Sequence, residues 1–72
     1  MHLIEAVNNL WKGNKVSHQE IHESAYLIFD GEKLLSGILN EDPIEISLYD
    51  FLYMMRDVDE DGWYLFDEKY NI

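Results

Sequence analysis

Two apolar runs, Ala25-Tyr-Leu-Ile-Phe29 and Lys33-Leu-Leu-Ser36, are separated by only Asp30-Gly31-Glu32. Asp and Gly tolerate positive φ, so this junction reads as a β-hairpin turn between two strands, the second stopping near Gly37 or a few residues on. A parallel pair would need a crossover of a dozen or more residues, usually a helix, and the strand-like segments lie too close together for crossovers between all of them. The chain is therefore committed to an antiparallel sheet.

The segments around the hairpin complete an α+β order. Leu3, Val7, Leu10 and Trp11 recur at i, i+4, i+7 and i+8 and form one stripe of an amphipathic helix over residues 2–12. Gly13 fits its left-handed C-cap, and Lys12 places a cation near the negative helix end. An edge strand is expected around Lys15–Ser17. Ser17–Ser24 is polar; Ser17 and Glu20 have capping-box spacing but no apolar run follows, so the stretch reads as a loop. Asn40-Glu-Asp-Pro43 reads as a turn, and Ile44 and Ile46 flank Glu45 in a short extended segment. Ser47 is an N-cap candidate with Asp50 at N3, opening a second helix over residues 48–56 with Leu48, Phe51, Leu52 and Met55 inward. Asp57–Gly62 is an acidic loop, Trp63–Phe66 a last strand and Asp67–Ile72 a tail. One domain over residues 1–72 results: a small antiparallel sheet of three to four strands with two packed helices.

A chain of 72 residues with no Cys has little to hold it together except packing or self-association. The area relations for a chain of this size allow about 62% of its surface to be buried. An apolar content of 47% with interspersed charge places it among globular chains.

Fifteen acids against five bases give a formal charge of −10. A surface of that sign repels phosphate backbones and anionic lipid, which argues against direct binding of nucleic acid or membrane. No N-terminal basic region precedes an apolar run, and no window is long enough for a membrane span. The expected setting is the cytoplasm.

The sharpest motif is Asp57-x-Asp59-x-Asp61-Gly62 with Glu68 at the end of the loop, which carries ligand types of an EF-hand at the right spacing. The chain ends four residues after Glu68, leaving no room for an exiting helix, and Trp63–Phe66 has strand character. A solvated acidic turn is the expectation, and no metal is assigned. His18 and His22 stand four apart beside Glu20 and Glu23, but in His-Gln-Glu-Ile-His order and without a third ligand; a polar surface loop is expected there. No Cys, nucleophile elbow, Gly-rich phosphate loop or Walker-type lysine is present, so neither an enzyme nor a cofactor is expected. The aromatics exceed what one small core holds. Tyr49, Tyr53 and Arg56 fall away from Leu48, Phe51 and Met55 on the second helix, and exposed Tyr and Arg favour interfaces.

The run Leu3-Ile-Glu-Ala-Val7 to Leu10-x-x-Gly13-x-Lys15-Val16, then Tyr26-Leu27, Asp30-Gly31 with Lys33, Ser47-Leu-x-Asp50-x-Leu52 and the closing Trp63 resembles the small phage and prophage family that includes Thoeris anti-defence 2. The likeness is nearly end to end, in short motifs. It implies an α+β fold that assembles into oligomers and sequesters cyclic nucleotide-type immune signals without cleaving them; some relatives are similar to anti-CRISPR inhibitors. Where family members carry a basic pair and a Trp, this chain has Ser17, His18, Gln19 and Glu20, so no ligand-binding residue is carried over.

Two functions follow as expectations. The first is a non-enzymatic sponge for a cyclic nucleotide-type signal. The second is an acidic DNA mimic that occupies the nucleic-acid-binding surface of a host defence protein. A domain of this length spans roughly 29 Å, and duplex of that length carries about 17 phosphate charges. Residues 37–72 hold −8 of the −10. The expected partner-binding residues are Asp57, Asp59, Glu60, Asp61, Glu41, Asp42, Tyr49 and Tyr53.

Overall fold

The computed structural model describes residues 1–66. The expected tail at Asp67–Ile72, with Glu68 and Tyr70, lies outside the described residues. Helix α1 spans Leu3–Trp11, followed by strands β1 (Val16–His18), β2 (Ala25–Phe29), β3 (Leu34–Ile38) and β4 (Ile44–Ile46), helix α2 (Leu48–Asp57) and strand β5 (Trp63–Leu65).

The capping chemistry accounts for both helix starts. His2 is the N-cap of α1, its Nδ1 accepting from the Ile4 N–H at 3.1 Å. At the other end the Gly13 N–H donates to Leu10 O at 2.9 Å and the Asn14 N–H to Asn9 O at 3.0 Å, the paired bonds of a Schellman motif. Ser47 caps α2, with its Oγ accepting from the Asp50 N–H at 3.0 Å as its spacing predicts.

The sheet has five strands in the order β4-β3-β2-β1-β5, with every neighbouring pair antiparallel. This exceeds the three to four expected: all five extended segments join one sheet, and the three-residue β1, β4 and β5 do not by themselves show which neighbours they pair with. β1 was expected at an edge over Lys15–Ser17; it lies inside the sheet, one residue further on, and includes His18. β3 runs through Gly37 to Ile38, while Lys33 stays in the turn and its carbonyl accepts from the Asp30 N–H. Strands β1 to β4 form a meander. The connection through α2 then crosses from one sheet edge to the other, where β5 adds to β1.

Residue alternation divides the sheet into two faces. Val16, Leu27 and Trp63 point to the helices and form the core with Ala6, Leu10 and Phe51. Fully buried Ala6 is the contact the helical stripe did not show; its small side chain permits close approach of α1 to the sheet. Trp11, expected inward, is 68% exposed and meets Phe29 edge-on at 4.6 Å. In α2 only Phe51 is buried, and Leu48 and Leu52, expected inward, face out. Met54 and Met55, half-buried against the core beside Phe51, hold the other part of the helix, so Leu48 and Leu52 need not be covered. Among the described residues no helix is long and apolar enough to cross a membrane.

On the far face Tyr26 lies over Gly37, flanked by the Phe66 ring at 5.0 Å and the Lys15 ammonium at 4.6 Å. A Cβ at Gly37 would come within 2.8 Å of Tyr26 Cε2 and closer still to the end of the ring. Glycine here is a requirement of packing, since Tyr26 is buried only because the strand beneath has no side chain.

The Asp30 carboxylate accepts from the Glu32 N–H at 2.9 Å and the Lys33 N–H at 2.7 Å, closing the hairpin. These two bonds, the Glu32 bond foremost, hold its carboxyl below the ordinary value of 3.8. Because the folded state favours the ionised form, Asp30 contributes stability above the ordinary carboxylate range and loses it as pH falls through its lowered value. Acid unfolding of Asp30→Asn, which keeps an acceptor but no charge, is expected to lack this component. Acid titrations of the two proteins that superimpose would contradict it.

Candidate functional site

The strand register brings three links to one end of the sheet. His18, Ala25, Ile38 and Trp63 lie level there, by the pairings of His18 with Trp63 and Ala25 with Ile38 and by the extension of β1 along β2. The β1–β2 link carries Glu20 and Glu23, the β3–β4 turn Glu41 and Asp42, and the passage from α2 into β5 carries Asp57, Asp59, Glu60 and Asp61. All eight carboxylates are exposed. Among the described residues, Lys12, Lys15 and Lys33 belong to links at the opposite end, and Arg56 is the one Lys or Arg adjoining the acids. Among the described residues no Lys or Arg forms an ion pair with these eight groups; Lys33 pairs instead with Glu45 at 3.8 Å.

At a strand spacing of about 4.8 Å, five strands give an acidic end roughly 19 Å wide. Each acidic link is separated from the next by one and a half to two strand spacings, so the acids form a row. The sequence pointed to Asp57, Asp59, Glu60, Asp61, Glu41 and Asp42, and the fold collects them here. Glu20 and Glu23 were missed; their signal was the link itself, since an antiparallel β1–β2 pair must place it at the end where β5 begins.

The loop between α2 and β5 is fixed from below by His18, which is 1% exposed and not on a polar surface as its sequence neighbours suggested. A strand position facing the core puts it there, against the edge of the Trp63 ring at 4.9 Å. The Glu20 N–H donates to His18 Nδ1 at 2.9 Å. Nδ1 is therefore the acceptor nitrogen and Nε2 carries the proton, which it shares between Asp59 O at 2.9 Å and Asp61 O at 2.8 Å. The Glu20 carboxylate stands 3.8 Å from Nδ1, and its closer partner is the Asp59 N–H at 2.6 Å. The Gln19 N–H donates to Gly62 O at 3.0 Å, the Leu3 N–H to Glu60 O at 2.8 Å, and Trp63 exchanges backbone bonds with Met1 in both directions. Gly62 adopts φ +100, and a Cβ there would stand 3.1 Å from His18 Nε2. His2 adds a contact to the Glu60 carboxylate at 3.5 Å.

This arrangement differs from a calcium loop. The carbonyls of Asp59 and Asp61 turn inward to His18, and Asp59 Oδ1 accepts from the Asp61 N–H at 3.2 Å. Glu68, the expected final ligand, lies outside the described residues. His18 and His22 are not brought together: His22 is exposed and its Nδ1 accepts from the Ser24 N–H at 3.1 Å. Among the described residues no group of three or more His, Asp or Glu side chains is placed to hold a metal ion.

Tyr49 and Tyr53 are exposed along α2, Tyr53 one helical turn and Tyr49 two turns before Asp57. Beside them a groove of about 320 Å³ opens between α1, α2 and the hairpin, lined by Val7, Leu10, Trp11, Phe29, Leu34, Ile46, Leu48 and Phe51. Its charged groups are Glu32, Lys33 and Glu45, so the one cation is already paired. No known protein family matches the chain, and neither a curated protein nor a solved structure is found to be similar to it.

Proposed function

We propose that the protein is a non-enzymatic counter-defence inhibitor that acts in the host cytoplasm by occupying the basic, nucleic-acid-binding surface of a defence protein. The observation that carries this reading is the gathering of eight exposed acids on three links at one end of the sheet. Among the described residues the eight acids and Arg56 sum to −7, or −6 with the N-terminal ammonium that bonds Trp63 O, over roughly 19 Å, and duplex of that width carries about 11 phosphate charges. The densities are of the same order, so a cleft built for a phosphate backbone meets a comparable field. The counter-defence setting comes from the resemblance to the phage family. The test is capture of nucleic-acid-binding proteins from a bacterial lysate carrying defence systems, with the proteins and the co-purified small molecules both identified. Captured defence proteins should lose DNA or RNA binding; bound proteins that keep it would contradict the reading.

Sequestration of a cyclic nucleotide-type signal is the second reading. The groove of about 320 Å³ is large enough for a small ligand. Its lining is apolar and its charged groups, Glu32, Lys33 and Glu45, sum to −1, which offers little to a phosphate, so this reading ranks below the first. Calorimetric titration with cyclic ADP-ribose isomers and cyclic dinucleotides tests it, and no binding heat with any of them would remove it.

We propose a second copy of the chain as a further partner. Trp11 at 68%, Leu48 at 63%, Tyr49 at 77%, Leu52 at 55% and Tyr53 at 59% exposure are large apolar and aromatic side chains left open to solvent. Aromatic and Leu side chains of this size and exposure offer on the order of 600 Å² per copy, near the roughly 800 Å² of a standard interface. Light scattering is expected to give a dimer or larger assembly that Leu52→Asp converts to monomer. A wild-type monomer at micromolar concentration would contradict this.

A further inference from the structure

We infer that His18, although buried and out of reach of any partner, positions the acidic loop for binding, with Glu20 as its second clamp. The inference rests on the acidic-end reading and identifies which side chains give that surface its shape. Four carboxylates within five residues repel one another, and a chain free to move would spread them. Here the backbone is held instead. Nε2–H of His18 binds the carbonyls of Asp59 and Asp61, and the Glu20 carboxylate binds the Asp59 N–H. Both carbonyls are thereby drawn toward the core, while the carboxylates of Asp57, Asp59, Glu60 and Asp61 remain exposed. A free loop would pay the ordering cost at the moment of binding, and this one has it met by the fold.

His18 carries no part of the acidic charge when its Nδ1 is an acceptor, so its removal separates shape from charge. Glu20 allows the same separation in a different way. Glu20→Gln deletes the charge and keeps an oxygen that can accept from Asp59 N–H, whereas Glu20→Ala deletes both.

The test uses the full chain with a fluorescein-labelled octa-arginine peptide as the basic probe, at low and moderate salt, alongside amide hydrogen exchange by NMR. His18→Leu is expected to speed exchange at Asp59 and Asp61 with the amides of Leu10 and Leu27 unchanged. It should weaken peptide binding about fivefold to tenfold while the salt slope stays that of the wild type, because the charge is the same. Glu20→Ala should bind about threefold more weakly than Glu20→Gln, at equal charge. The Glu20 variants are at an exposed position and keep the test available if His18→Leu does not fold. Wild-type affinity in His18→Leu despite faster loop exchange, or equal affinity in the two Glu20 variants, would overturn the inference. Unchanged exchange at Asp59 and Asp61 in His18→Leu would overturn it as well. Failure of the wild-type chain to bind the peptide at low salt would instead overturn the acidic-end reading, leaving the clamp itself to be decided by exchange.

Discussion

Gly37→Ala is expected to cost about 3 kcal/mol, at the upper end of what overpacking a close contact does. The new methyl would meet the ring of Tyr26, which is buried and in contact with the Phe66 ring and the Lys15 ammonium, so the ring can give way only by disturbing those contacts. A chain of 72 residues has a total stability of about 4–11 kcal/mol at the usual value per residue. The substitution thus removes a large fraction of it, and the melting temperature should fall by more than about 10 °C. Thermal denaturation followed by circular dichroism reads the effect. In Tyr26→Leu the ring is gone, so adding Gly37→Ala to that background should cost much less than in the wild type. Additive losses would show that the ring contact is not the cause.

Neutralising the acidic loop, as Asp57→Asn, Asp59→Asn, Glu60→Gln and Asp61→Asn together, should leave stability within about 0.5 kcal/mol or raise it slightly. The side chains are exposed, Asp59→Asn keeps the oxygen that accepts from the Asp61 N–H, and the clamp from His18 binds backbone carbonyls that the changes do not touch. Binding behaves differently. Four charges at about 0.7 kcal/mol each amount to about a 100-fold loss of affinity for a basic surface, a loss largest at low salt. The same substitutions should flatten the dependence of binding on salt, because fewer counterions are exchanged. Titration of an octa-arginine peptide at two salt concentrations measures both quantities.

Some of this was legible in the residues and some was not, for physical reasons. The hairpin at Asp30-Gly31, the N-cap at Ser47 and the helix closed by Gly13 are local devices whose partners lie within a few residues, and each is where its chemistry puts it. The exposed acids were legible because charge at this density has nowhere to go but the surface. What a linear reading missed depends on pairing across the chain. β1 is three residues long and is defined by neighbours at Leu27 and Trp63 rather than by its own pattern. His18 looks like one more polar residue of a loop until β5 is placed beside it. Leu48 and Leu52 have the spacing of a buried stripe, yet a helix that spans the sheet's width through Phe51 leaves them outside. The grouping of Glu41 and Asp42 with Asp57–Asp61 likewise needs the strand order, which no single segment contains.

The most direct measurement of the central claim is competition between this protein and labelled duplex DNA for a captured nucleic-acid-binding defence protein, repeated across a range of salt concentrations. The acidic end predicts displacement of the duplex by the wild-type chain, weakening steeply with salt, and little displacement by the loop-neutralised variant. Simultaneous binding of the duplex and the wild-type chain, or displacement that survives neutralisation of Asp57, Asp59, Glu60 and Asp61, would contradict it.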